Sequence, residues 1–149
     1  MVAHGGGMGT ASHSPPASKH VAGIGVDLAN ADEIYDAMTR RGQEYLLSVF
    51  TLAELSHCFA QTDPVRNLAS VLAAKGATIK ALGASDGDPP QTSIEIQIDE
   101  TGSWQLYLTG QAAELARQQG ADGFALTIAD DGERATATVV ATRSSLHGL

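Results

Sequence analysis

Small and apolar residues run through "HVAGIGVDL", a β-like stretch ending at Asp27. The period then changes to helical in "NADEIYDAMTRRG". Asn30 stands where a cap belongs, Asp32 and Glu33 load the first turn, Arg40 and Arg41 the last, and Gly42 stops the helix. A second short helix is predicted over "QEYLLSVF". "TLAEL" opens a third, through about Gln61, with Thr51 and Glu54 at the spacing of a capping box. "TDPVRNLASVLAAKGATIKALG" begins a fourth with Asp63 as cap and Pro64 at the first helical position, and ends at Gly83. One residue in that helix is out of character. Gly76 sits near its middle, where glycine costs about 1 kcal/mol relative to alanine.

Beyond the loop "ASDGDPPQT", strict alternation returns. "SIEIQID", the turn "ETG" and "SWQLYLT" form one hairpin, "GQAAELARQQG" a helix ended by Gly120, and "FALTIAD", "DGE" and "RATATVVAT" a second hairpin. The pattern is α+β: one N-terminal strand, several helices, two hairpins and a helix between them. Residues 1–19, rich in Gly, Ser, Pro and Ala, cannot offset their ordering entropy by burial and are expected to be a disordered leader or an expression remnant. The domain is expected to span residues 20–145.

Composition narrows the function classes. At 149 residues and 43% hydrophobic the chain can bury one core. Its apolar runs fall well short of the roughly 18 residues that span a bilayer, and no secretory signal is seen, so a cytoplasmic protein is expected. With 17 acidic and 9 basic residues the formal net charge is −8, which argues against a nucleic-acid partner. Cys58 is the one cysteine, so neither an intrachain disulfide nor a cysteine zinc site can form. His4, His13 and His20 are too scattered for a metal site, and adjacent His57 and Cys58 point in different directions on their helix. Cys58 is expected in the core, with Trp104 and Tyr107 in hairpin packing.

The chemistry-bearing residues admit plain structural roles. Asp27 at a strand end could cap the next helix, Glu54 is accounted for by its capping box, and Lys75 and Lys80 could be solvated helix residues. Asp130 and Asp131 precede Gly132 at a hairpin, where turn geometry favours them. A sharper alternative pairs Asp130 with Asp27 as two carboxylates across a cleft, suited to acid–base work.

From Val21 to Thr142 the order of motifs resembles the holo-acyl-carrier-protein-synthase type of 4'-phosphopantetheinyl transferase. "GIGVDLANADEI" is similar to that family's opening strand, "VFTLAELSHC" to its "FT..E" helix, and "LAAKGATIKALG" to its "AAKEAxxKA(L/F)G" signature. "IEIQIDETGSWQLYLTGQA" and "FALTIADDGERATATVV" resemble its closing hairpins. The resemblance implies an antiparallel sheet with packed helices, a homotrimer with clefts between subunits, and Mg²⁺-dependent transfer of the phosphopantetheine arm of coenzyme A to a carrier-protein serine. It implies Asp27, with Glu54 as a weaker candidate, as metal ligands. Lys75, Lys80 and Thr127 become coenzyme-binding residues and Asp27 and Lys75 catalytic ones, while Asp130 joins the catalytic candidates only through the possible pair with Asp27.

The chain departs from the family's pattern at several of these places. Gly76 stands where the family has its second metal carboxylate, Val71 where an arginine lies near the coenzyme phosphates, and Ala129 and Asp130 in place of a serine and a histidine. Glu33 replaces a common arginine on the helix that meets the carrier, and 31–58 holds five acids (Asp32, Glu33, Asp36, Glu44, Glu54) against two bases. The expectation is therefore a divergent member whose cleft is repurposed for a small-molecule or thioester intermediate, possessing Mg²⁺ and coenzyme A only if the ancestral reaction survives, and otherwise no cofactor. The alternatives are an active transferase acting on a carrier protein and a non-catalytic assembly partner.

Overall fold

Alternation along the first long strand shows why the fold closes as it does. In the computed structural model, which describes residues 2–4, 19–84 and 88–145, strand β2 (Lys19–Asn30) turns Gly25 and Ala29 inward and leaves Ile24, Val26 and Leu28 exposed. It pairs antiparallel along its whole length with the last strand, β6 (Arg134–Ser144), which in turn pairs with β5 (Gly123–Asp130). The strand order is β2-β6-β5. A second antiparallel sheet has the order β1-β4-β3, from Val2–His4 (β1), Trp104–Leu108 (β4) and Ile94–Ile98 (β3).

The helices are α1 (Ala31–Arg41), α2 (Gln43–Val49), α3 (Leu52–Phe59), α4 (Pro64–Ala81) and α5 (Gly110–Gln119). Helix α4 is the centre of the molecule. Eleven of its side chains are buried, including Leu68, Val71, Ala73, Ala74 and Ala77, so it reads as a core helix rather than an amphipathic surface one. It packs against the inner face of β2-β6-β5, where Leu126, Ala137, Val139 and Ala141 lie, and Ile94, Ile96, Leu106 and Leu108 of the other sheet belong to the same core. Full burial of an aliphatic side chain such as Leu68 contributes about 1.5–3 kcal/mol.

The approach of β2 to α4 is unusually close. A Cβ on Gly25 would lie 1.8 Å from the Ala77 carbonyl oxygen, and one on Gly23 would lie 1.9 Å from that of Ala81. Glycine is required here because helix backbone occupies the place of the side chain. Gln119 of α5 clips the same seam, donating through Nε2 to the carbonyls of Ala22 and Ala81, both at 2.9 Å.

The predicted elements are all present, with three corrections. Strand β2 continues past Asp27 to Asn30 because its pairing with β6 carries it there. Asn30 does not cap α1 with its side chain; Nδ2 donates to Glu33 and Oδ1 accepts from Arg134, while the Ala31 amide donates to the Glu133 carbonyl at 2.8 Å. The leader is not wholly without structure, since Val2–His4 pairs antiparallel with β4 and Lys19 already belongs to β2; residues 5–18 lie outside the described residues.

Gly25→Ala is expected to destabilise the fold by about 2 kcal/mol or more, as over-packing against backbone does. Urea unfolding should show a lowered midpoint at unchanged slope. A midpoint equal to wild type would show that β2 does not need to lie this close.

A candidate active-site cleft

Because β2 lies so close to α4, the next inward residue after Gly23 and Gly25, Asp27, meets the helix at Gly76. A Cβ on Gly76 would stand 1.7 Å from Asp27 Oδ2, so the bare Cα is what leaves room for the carboxylate. Asp27 Oδ1 accepts from the Leu28 amide at 2.9 Å and from Lys80 Nζ at 3.2 Å. Lys80 also donates to the Val26 carbonyl at 3.2 Å. This pair is partly open, with the Lys80 and Asp27 side chains 52% and 34% exposed, and such pairs contribute only about 0.2–1 kcal/mol.

The Asp27–Gly76–Lys80 group forms one wall of a cleft of about 490 Å³. Leu72 and Ile79 add apolar surface from α4, and Glu33 of α1, Ser48 of α2 and the Pro89–Gln91 segment complete the lining. This size suits a coenzyme-like ligand. The chain supplies it with two carboxylates, Asp27 and Glu33, the Lys80 ammonium and a few hydrogen-bonding groups on an apolar frame. Sequence reasoning missed Ser48 and Gln91 as lining residues, and placed Glu33 on a docking surface only. No local pattern marks the Pro89–Gln91 segment; it reaches the cleft because the backbone carbonyl of Gln91 is fastened to Lys75.

Lys75 and Glu54 do not belong to the cleft. Both side chains are fully buried, with Lys75 Nζ 2.7 Å from Glu54 Oε1. The ammonium also donates to the carbonyls of Gln91 at 2.8 Å and Ile94 at 2.6 Å, so its three protons are all used. Glu54 completes the capping box with Thr51 and accepts the Ile96 amide at 2.7 Å. Burial pulls the Lys75 ammonium below its ordinary range and pushes the Glu54 carboxyl up; the ion pair opposes both shifts. Lys75, expected as a coenzyme-binding or catalytic residue, and Glu54, expected as a metal ligand, are in this structure each engaged in joining α4, α3 and β3. Cys58 is buried nearby as expected, its thiol pushed up to about 12 by burial.

Asp130 and Thr127 are likewise apart from Asp27 within one subunit. Asp27 stands opposite Ala137, and Ala137 opposite Ile128, so Asp130 is two strands across and two residues along. With strands about 4.8 Å apart and a rise of about 3.4 Å, the two backbones are about 12 Å from each other. Asp130 Oδ1 instead accepts Arg66 Nε at 2.6 Å and the Gly132 amide at 3.1 Å, a clamp between α4 and the hairpin turn. Within one subunit Asp27 and Asp130 therefore do not form a carboxylate pair. Thr127 is exposed on the face of the sheet away from α4, because it alternates with buried Leu126.

A family model described as the 4'-phosphopantetheinyl transferase superfamily matches residues 23–131, which carry both the cleft and the buried pair. The chain belongs to this superfamily. It is 35% identical over 124 residues to a holo-[acyl-carrier-protein] synthase of Vibrio cholerae serotype O1, covering 83% of this chain and 98% of the relative. Among solved structures it is similar to the Plasmodium yoelii acyl carrier protein synthase with ADP bound, at a TM-score of 0.78 and 26% identity over 86% of this chain and 99% of that one. It is also similar to a Chronobacterium ammoniagenes synthase–coenzyme A complex, at a TM-score of 0.72 and 27% identity over 87% and 99% of the two chains. The α+β transferase fold and the synthase-type membership expected from the motifs are thus found. No helix among the described residues is long and apolar enough to cross a membrane.

The two signature lysines are therefore expected to differ sharply on replacement. Lys75→Met leaves Glu54 charged and alone in the core and should cost about 3–5 kcal/mol, while Glu54→Leu with Lys75→Met should cost much less than the sum of the single changes. Lys80→Met should change stability by less than about 0.5 kcal/mol. Equal losses at the two lysines in chemical denaturation would refute this division.

Proposed function

We propose that this member of the superfamily is a holo-acyl-carrier-protein synthase, transferring 4'-phosphopantetheine from coenzyme A to a serine hydroxyl of a carrier protein in the Asp27–Lys80 cleft. The observation that carries the reading is the joining of Asp27 and Lys80 at 3.2 Å on the wall of a coenzyme-sized cleft, in a chain whose relatives bear the synthase name over nearly their full length. The serine oxygen would bond to the phosphorus of the arm as the phosphorus–oxygen bond to 3',5'-ADP breaks, with the hydroxyl proton released to the water of the open cleft. Lys80 would neutralise the diphosphate, where negative charge builds up on the leaving side.

Magnesium fits the residues present in a restricted way. Among the described residues there is no group of three or more acids, histidines or cysteines able to hold a metal alone. Asp27 offers one carboxylate, and magnesium is commonly held by one or two carboxylates with substrate phosphates and water. When bound, the ion supplies charge neutralisation of the diphosphate. Asp27 would hold it there, and Lys80 would bind the anion beside it.

Two departures that pointed to a repurposed cleft have packing explanations. Val71 is core, 2% exposed, and Asp130 is spent on Arg66. The docking helices are also less acidic than a residue count implies. Glu54 is internal, while Asp36 pairs with Arg40 and Glu44 with Arg41. Gly76 and Glu33 are the departures that line the cleft, and Gly76 leaves Asp27 as the carboxylate of the β2–α4 wall.

The reading includes a homotrimer. Val21, Ile24, Val26 and Leu28 leave an apolar stripe along the outer face of β2, between 49% and 60% exposed, and patches of this kind mark association surfaces. A neighbouring subunit covering that face is also the means by which Thr127, on the same outer side, could reach a cleft.

Intact-mass analysis of an apo carrier protein with coenzyme A and Mg²⁺ should show addition of one phosphopantetheinyl arm. Asp27→Asn and Lys80→Gln should each slow it about 100-fold. A wild-type protein that loads no carrier would sink the transferase reading in favour of a repurposed cleft. In sedimentation, the wild type should run as a trimer and Val26→Glu as a monomer; a wild-type monomer would remove the shared-cleft part of the reading.

A further inference from the structure

Asp27 and Lys80 occupy each other when the cleft holds no ligand. A divalent cation approaching Asp27 Oδ1 meets an ammonium 3.2 Å from that oxygen, and an anion approaching Lys80 meets the carboxylate in the same way. Gly76 sets this arrangement. With any Cβ at position 76 the Asp27 carboxylate would have to leave its place on α4, because Oδ2 lies 1.7 Å from where that atom would be. The pair is also accessible, facing the open cleft rather than the core. Ligands can therefore part it, which is not so for the sealed Lys75–Glu54 pair.

We propose that Lys80 couples the binding of a diphosphate to that of a divalent cation, by changing partner from Asp27 to phosphate. The anion draws the ammonium away, and the freed carboxylate takes the cation. Each ligand binds weakly by itself and tightly with the other, and the factor is the same in both directions by linkage. Gly76 is a positioning residue in this scheme, since it lets Asp27 lie where Lys80 can hold it. The proposal rests on the diphosphate reading of the cleft and adds the order and interdependence of its two ligands. No covalent step is involved.

The test measures binding, apart from carrier loading. Mn²⁺ is titrated by electron paramagnetic resonance with and without saturating coenzyme A, and coenzyme A by calorimetry with and without saturating Mn²⁺; Mn²⁺ with coenzyme A alone provides the solution baseline. Each ligand should raise the affinity of the other by about tenfold or more, within the usual range of coupling. In Lys80→Gln, Mn²⁺ should bind the free protein about tenfold tighter than in wild type, and the coupling factor should fall by about the same tenfold, leaving only what direct contact of the cation with the diphosphate supplies. Gly76→Ala, which displaces Asp27 without adding a ligand in a helix that alanine strengthens, should also lose most of the coupling. Equal Mn²⁺ affinity with and without coenzyme A, or coupling undiminished in Lys80→Gln, overturns the proposal while leaving the transferase reading intact. Failure of coenzyme A to bind under any metal condition overturns both.

Discussion

The carbonyls of Ala77 and Ala81 lie so near β2 that no side chain fits at Gly25 or Gly23. That contact between strand and helix backbone sets the geometry of the rest of the strand. It carries Asp27 to the helix surface one inward step later, opposite the residue that lacks a side chain and within reach of Lys80. It also requires α4 to be rich in alanine on that side, since a larger residue at Ala77 or Ala81 would force the layers apart. The cleft is thus a consequence of the packing of the fold, and its position does not depend on a flexible loop.

Lysines 75 and 80 show how one helix serves two unlike purposes. Five residues on an α-helix turn the side chain through about 500°, leaving the two about 140° apart around the axis. One faces α3 and β3 and the other faces the end of β2. The buried cation finds three acceptors, which is what makes an internal charge tolerable, and in doing so it fixes Glu54, Gln91 and Ile94 relative to α4. The exposed cation has looser partners and can exchange them. Lys80 is open to the cleft for the same physical reason that Lys75 is closed off from it.

Much of the fold was legible from local signals. The capping box of Thr51 and Glu54 and the Asp63–Pro64 start of α4 appear as the spacing implied, and the two hairpins follow their alternation. Long-range pairing was not legible. Nothing in "HVAGIGVDL" says that its partner is the last strand, and nothing in Val2–His4 names β4. The site was harder for the same reason. A motif places Lys75 and Lys80 side by side in the text, but only tertiary packing separates a core ion pair from a cleft one. Asn30 illustrates the limit at short range. Its type and position are right for a cap, yet Glu33 and Arg134 compete for its amide and win.

Substitutions in a family motif acquire meaning from the place where the side chain ends, and the departures here separate on that basis. Val71 is interior, so an apolar residue there answers to the core. Asp130 is answered by Arg66 on the neighbouring helix, a charge balanced locally rather than aimed at a ligand. Gly76 and Glu33 both alter the chemistry of the cleft lining, and Gly76 does so twice. It removes a carboxylate, and it admits Asp27 into the vacated space, where Lys80 holds it. The missing side chain at Gly76 and the Asp27–Lys80 ion pair are one structural event, since the carboxylate that Lys80 holds lies in the space a Cβ would fill.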